Sequence, residues 1–229
     1  MHLPHINKKD IILKCFICEI LETLSQHVVV YEVYILIFLI NMFNFFLNNK
    51  SIWTKKIVAE SLLTNINEKN NNSVIQKIFW IIFNLLSSPL FLDFFISLKN
   101  FHQNIVDFVF RRTDFADDAL RIFVVISRKA NYYQLTFLEN DAKLIELFTF
   151  VIKEIRETKL LKLALEGLYN VFLSENQEVK ENFTLRNFVL KFESLNGENA
   201  LIELQHYNNS DVYNLVFMIF DDFIQINQN

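Results

Sequence analysis

Glycine and proline are nearly absent: the 229-residue chain contains two of each. An all-β sandwich or barrel turns at many hairpins that depend on those residues, so that class is excluded. No Gly/Pro-rich linker divides the chain either, and one continuous body over residues 1–229 is expected. The two cysteines, Cys15 and Cys18, stand one helical turn apart. In a rigid helix that is too close for a disulfide framework, which fits a reducing compartment. There is no long basic run, and 22 Lys+Arg against 26 Asp+Glu leave a net charge of -4. No nucleic-acid partner is expected from such a balance. Residues 1–10 are polar and lack the basic-then-apolar layout of a secretory signal. Gly167 and Gly197 cannot build a P-loop or a dinucleotide fingerprint. His27, His102 and His206 lie far apart, with no nucleophile at a diagnostic spacing, and read as surface or loop residues. The acid pairs Asp117-Asp118 and Asp221-Asp222 read as helix starts or solvent faces. No enzyme and no cofactor is expected.

What the chain does contain is apolar surface: 52% of residues are hydrophobic, 15% aromatic, and 25 are phenylalanine. A disordered chain cannot leave that much uncovered. Val28 to Leu47 is about as long as a membrane span, which takes roughly 20 mostly apolar residues, and Phe79 to Leu98 offers a second such run. Glu32, Asn41 and Asn44 inside the first run, and the recurrence of similar helices down the chain, favour a buried solenoid helix over a span. No membrane partner is expected.

An internal period organises the chain. Tyr31–Phe43, Val74–Leu86, Ala116–Arg128 and Thr158–Phe172 are long helical runs with a polar residue near the end, at Asn41, Asn84, Ser127 and Asn170. Each lies 43 residues after the last, within the armadillo/HEAT range of about 40 to 47. Shorter amphipathic helices and Asn- or Asp-rich loops fill the intervals: Leu90–Leu98, Gln103–Arg111, Tyr132–Leu138, Ala142–Ile155, Asn187–Ser194, Ala200–His206 and Val212–Ile224. An NG turn is expected at Asn196-Gly197, and Ser210 or Asp211 is the expected N-cap of the last helix. The fold class is therefore all-α, an armadillo-repeat right-handed superhelix of about five three-helix repeats, approximately 8–48, 49–88, 89–130, 131–174 and 175–229.

In such a solenoid the third helices stack side by side, and one phase of the period forms a ladder along the groove. The polar rungs are Asn41, Asn84, Ser127 and Asn170; one turn earlier stand Ile37, Trp80, Phe123 and Glu166. An asparagine amide both donates and accepts, so a ladder of them can clamp an extended peptide backbone. A tryptophan one turn away walls a slot for a Lys or Arg stem. The alternative is that Trp80 packs in the core and Asn84 serves a local backbone group. Near the start, His2-x-x-His5 and Cys15-x-x-Cys18 supply four ligand types that zinc accepts; the other reading is a buried helix with two small apolar cysteines, and no metal is expected.

KIFWIIFNLL, RTDFADDALRIFVVIS, LALEGLYNVF and ALIELQHYNNSDVYNLVFMIFDDFI resemble, in order, the C-terminal repeats of the importin-alpha (karyopherin-alpha) family, best from Lys55 to Ile224. The chain covers about half of the repeats usual in that family, and Lys8, Lys9 and Lys14 are a poor substitute for its basic N-terminal segment. The resemblance implies an adaptor of cytoplasm and nucleus, binding basic nuclear localisation signals of cargo proteins at the secondary site. It also implies a contact with the export receptor and its GTPase. Trp80 and Asn84 match cargo-contacting positions; Asn41 and Asn170 keep the amide, Phe123 an aromatic wall, Ser127 a shorter substitute, and Glu166 replaces tryptophan. Where the family tends to carry an acid, this chain has Tyr34, Lys77 and Leu120, and a lysine there repels a basic cargo. The alternative reading is therefore an armadillo scaffold for protein–protein interaction that has lost signal binding.

Overall fold

A computed structural model describes residues 72–86, 89–98, 101–111, 113–182 and 186–224. Asn41, the Val28–Leu47 run and the His2/His5/Cys15/Cys18 set lie outside the described residues. Every described element is helical: α1 (Asn72–Leu85), α2 (Pro89–Ser97), α3 (Phe101–Arg111), a 3-10 turn (Thr113–Phe115), α4 (Ala116–Lys129), α5 (Tyr132–Ala142), α6 (Leu144–Glu154), α7 (Thr158–Asn182), α8 (Asn187–Ser194), α9 (Gly197–Leu204), α10 (Ser210–Ile219) and a π-helical end (Phe220–Ile224). The helices group in threes, as the period requires, and among the described residues none is long and apolar enough to cross a membrane.

The chain divides into two compact units, residues 1–95 and 96–229. In the first, α1 buries Ile75, Ile78, Phe79, Ile82, Leu85 and Leu86, the i, i+3, i+4, i+7 stripe of a helix covered on one side. Pro89 opens α2 at the first helical position, where its missing N–H is no loss. Phe91 and Phe95 are fully buried there with ring centroids 5.8 Å apart.

In the second unit the third helices α4, α7 and α10 pack side by side, and the second helices α6 and α9 also lie against each other. Helix α7 is the hub, touching α4, α5, α6, α8 and α10. It runs to Asn182, past Phe172 where the apolar stripe was expected to end it, because Ser174–Asn182 contains neither Gly nor Pro and favours helix. The two glycines of the whole chain serve this packing rather than turn geometry. A Cβ on Gly167 would stand 2.4 Å from the ring of Phe148, and one on Gly197 would stand 2.2 Å from the ring of Phe192. At the Asn196-Gly197 turn the left-handed residue is Asn196, with φ 58.

Helix starts are satisfied in two ways. Asn131 forms a capping box with Gln134: its Oδ1 accepts from Gln134 N at 3.0 Å, and Gln134 Oε1 accepts from Asn131 N at 2.8 Å. The last helix is capped by Asn209 rather than Ser210 or Asp211, its Oδ1 accepting from Asp211 N and Val212 N, both at 3.1 Å. Ser210 and Asp211 are the first helical residues there, one position too late to turn back onto the orphan N–H groups. At α6 and α8, where no local side chain caps, a remote carboxylate does. Glu139 accepts from Ile145 N at 2.7 Å at the start of α6, where Lys143 (φ 52) leaves no room for a loop. Glu175 of α7 accepts from Phe188 N at 2.6 Å and Val189 N at 3.1 Å at the start of α8. Burial pushes both carboxyl groups above their ordinary value, and the backbone N–H donors only partly oppose it. His102, expected at the surface, is fully buried, its Nδ1 2.7 Å from Asp141 Oδ2. The 3.6 period places it on the same face as Ile105, Val106 and Val109.

Two outcomes follow for stability. Gly167→Ala forces a methyl into the ring of fully buried Phe148 and should destabilise by roughly 2 kcal/mol, read as a lowered urea midpoint. Glu175 titrates above the ordinary 4.5 in the folded state, so its proton adds stability that is complete below about pH 4.5 and lost as pH rises through the folded-state pKa. Against Glu175→Gln, the parent should therefore gain stability between neutrality and pH 4.5, measured as the difference between the two urea curves at each pH.

Candidate functional site

The expected rungs were a Trp80/Asn84 pair in the first unit and Phe123/Ser127 and Glu166/Asn170 in the second. On α1, Trp80 is 40% exposed, so it is not a core residue. Asn84 Nδ2 donates to the Trp80 carbonyl oxygen at 2.7 Å. That bond turns one amide hydrogen onto a backbone group of its own helix.

Phe123 and Ser127 are not surface residues. Phe123 is 0% exposed and Ser127 2%, with the Ser127 hydroxyl donating to the Val124 carbonyl at 2.9 Å. The reason is register. The buried set Ile75, Ile78, Phe79, Ile82, Leu85, Leu86 of α1 recurs in α4 as Ala116, Ala119, Leu120, Phe123, Ile126, Ser127, a step of 41 residues. It recurs in α7 as Leu161, Ala164, Leu165, Leu168, Val171, Phe172, a step of 45. The two steps average the 43 of the sequence alignment, so the outer rungs Trp80/Asn84 and Glu166/Asn170 are equivalent while the middle one is displaced by half a turn. The surface residues equivalent to Trp80 and Asn84 on α4 are Arg121 and Val125. Leu120 is likewise buried, and the position three residues before the rung is Asp118. The Asp117/Arg121 i, i+4 stripe was the signal that could have revealed this phase, since charged side chains one turn apart mark the solvent face.

Glu166 is half-buried on α7 and is already engaged: the Arg128 guanidinium of α4 pairs with it across the two helices. Asp117 takes both Arg121 Nε at 3.2 Å and Lys159 Nζ at 2.6 Å, and Asp211 takes Lys162 Nζ at 2.5 Å. Thus Asp117, Glu166 and Asp211 carry cations of the chain itself. Beside them Asp118 is pushed up from the ordinary carboxylate range, chiefly by burial and then by the Asp117 charge.

Asn170 lines a cavity of about 330 Å³ with Ser127, Arg128, Tyr132, Ser174 and Gln177. Its Nδ2 is enclosed and has no hydrogen-bond partner. Of the acids at this cavity, Glu178 accepts from Tyr133 Oη at 3.0 Å and from Asn182 Nδ2 at 2.8 Å. Among the described residues no group of three His, Cys, Asp or Glu side chains could hold a metal ion.

This arrangement, three-helix repeats with the third helices in a row, defines an armadillo-like helical repeat protein. The chain superposes on a designed armadillo repeat protein solved in complex with the peptide (KR)4, with a TM-score of 0.61 at 16% identity, covering 89% of this chain and 91% of that one. A second designed armadillo repeat protein gives a TM-score of 0.57 at 14% identity, covering 95% of both chains. An engineered protein gives 0.56 at 13% identity, covering 74% of this chain and 65% of that one. At these identities the likeness is one of fold. The sequence matches no family model and no curated protein. The fold is an all-α solenoid of armadillo type.

An enclosed amide donor without an acceptor costs about 1–3 kcal/mol. Asn170→Leu, which keeps the shape and removes the donor, should raise the thermal midpoint or leave it unchanged, as read by calorimetry.

Proposed function

We propose that the chain binds an extended peptide segment of a partner protein along the exposed faces of its third helices. The observation that carries this reading lies within the second unit, where the third helices stand in a row and Asn170, at the edge of the buried face of α7, lines a cavity with Ser127, Ser174 and Gln177. Side-chain amides at a fixed helical phase meet main-chain N–H and C=O groups of an extended chain irrespective of its sequence.

The finer reading is a nuclear transport adaptor of the importin-alpha kind, moving between cytoplasm and nucleus. Its support is the four ordered motifs and the Trp80/Asn84 pair, whose exposed indole can cover the stem of a cargo Lys or Arg. The designed armadillo protein with (KR)4 adds that this fold can hold a basic peptide. The buried Phe123 and Ser127 and the occupied Glu166 weigh toward the more general scaffold, with basic recognition confined to the first unit. Fluorescence anisotropy with a labelled bipartite basic peptide tests this. Trp80→Ala should weaken binding by about tenfold or more, as loss of an aromatic anchor does, and Asn84→Ala by a smaller factor. Binding indifferent to both substitutions removes the basic-cargo reading.

A further inference from the structure

Helix α10 carries the outward face of the last repeat. The fully buried Leu161, Leu165, Leu168 and Phe172 of α7 recur in α10 as Val212, Val216, Ile219 and Phe223, a step of 51 residues. That register sets Phe217 at the position of Glu166 and Asp221 at the position of Asn170, with Tyr213, one turn before Phe217, at the position of Lys162. The 43-residue period points to Tyr213 and misses the pair. Phe217 is 56% exposed, more than any other phenylalanine among the described residues, and Tyr213 is 46% exposed. Two rings thus stand four residues apart on one helix face, and the exposed Asp221 follows one turn on. The closing turn, Phe220–Ile224, is π-helical, a rare geometry that is frequent at functional sites.

Charge selects what can lie on those rings. From Arg186 to Ile224 the chain has two cations and six acids. Both cations are engaged: Arg186 Nη1 donates to the Phe223 carbonyl at 3.2 Å, and Lys191 Nζ lies 3.3 Å from Glu146 of α6. Along the third helices Arg121 and Lys159 sit on Asp117, Arg128 on Glu166 and Lys162 on Asp211. Asp222 accepts from Tyr169 Oη at 3.0 Å. Asp221 has neither an ion pair nor a hydrogen bond among the described residues. An anionic side chain on Phe217 would be repelled by Asp221, and an aliphatic one would leave that carboxylate unanswered. A Lys or Arg side chain lays its stem on the rings and brings its charge to both the ring face and the carboxylate.

We propose that the Tyr213/Phe217/Asp221 face of α10 receives a lysine or arginine side chain of the bound segment, its stem on Phe217 and its charge at Asp221. This site presupposes the reading of the third-helix faces as a peptide groove. What keeps basic recognition off α4 and α7 is the burial of Phe123 and Ser127 and the occupation of Glu166. Helix α10 shares neither feature, so the second unit has one basic site, at its last helix.

The test uses three extended peptides of one backbone, bearing Lys/Arg, Leu or Glu at the same positions. Each is titrated by anisotropy against the full chain and its Phe217→Ala and Asp221→Asn variants, with and without Trp80→Ala. The Lys/Arg peptide should bind most tightly and weaken about threefold or more in either variant, as loss of an exposed cation–π or ion-pair contact does. The factor should be the same in both backgrounds. Phe217→Tyr, which keeps the ring, should bind like the parent, and thermal unfolding of each variant checks that the fold is kept. Lys/Arg binding unmoved by both substitutions overturns the proposal. So does a leucine peptide bound as tightly as the Lys/Arg one, or self-association of the parent, read by sedimentation, that Phe217→Ala abolishes. If the Lys/Arg peptide binds but ignores the α10 variants, the groove reading stands without this site; if none of the three peptides binds, the groove reading falls with it.

Discussion

Helix α7 lies against α4, α5, α6, α8 and α10, and at Gly167 the ring of Phe148 occupies the space a side chain would fill. Leu161, Leu165, Leu168 and Phe172 bury the rest of that face completely. An amphipathic helix of this kind cannot cover itself, so each repeat is stable only against its neighbours. That constraint explains the composition. Phenylalanine fills the wedge between helices, as in the edge-to-face contacts of Phe172 with Phe192 and with Phe223 at 5.6 and 5.7 Å. Glycine is used where a ring must come closest.

Packing helices tightly with short connections leaves little chain for capping. Lys143 is the only residue between α5 and α6, and its side chain makes no cap. The orphan N–H groups at buried helix starts must still be met. Glu139 and Glu175 meet them from other helices, and burial raises their pKa in return. Tyr207 does similar work on the other side, donating to the Arg156 carbonyl at 2.6 Å and so tying the α6–α7 connection to the last repeat. Polar side chains thus stitch repeat to repeat through backbone groups that the helices themselves leave open.

The repeat was legible because a polar residue closes each apolar run, and that mark survives insertions in the loops. Rotational phase was not legible by the same route. A repeat shorter by two residues before α4 and longer by two before α7 leaves the mean period unchanged yet turns the middle rung by half a helical turn, exchanging Phe123 and Ser127 for Arg121 and Val125 at the outward positions. The apolar residues do not reveal that, since Phe123, Val124, Val125 and Ile126 are all apolar and any of them could face inward; the charged Asp117/Arg121 stripe is the one local mark of the phase, and the burial pattern fixes it. Glu166 was legible as a residue and illegible as a partner. Its pairing with Arg128 spans a gap of 38 residues and depends on how α4 sits on α7.

The sequence by itself determined that the chain is all-helical, that it repeats, and where most helices begin, because helical periodicity, scarce glycine and proline, and Asn/Asp punctuation are local properties. It also determined that Trp80 and Asn84 share a face one turn apart. The tertiary structure alone decided which residues of α4 reach the surface, which acids are already neutralised, that His102 is buried against Asp141, and that Asn170 keeps an amide hydrogen without an acceptor. These depend on distances between helices far apart in the chain, and such distances follow from the packing of one repeat on the next.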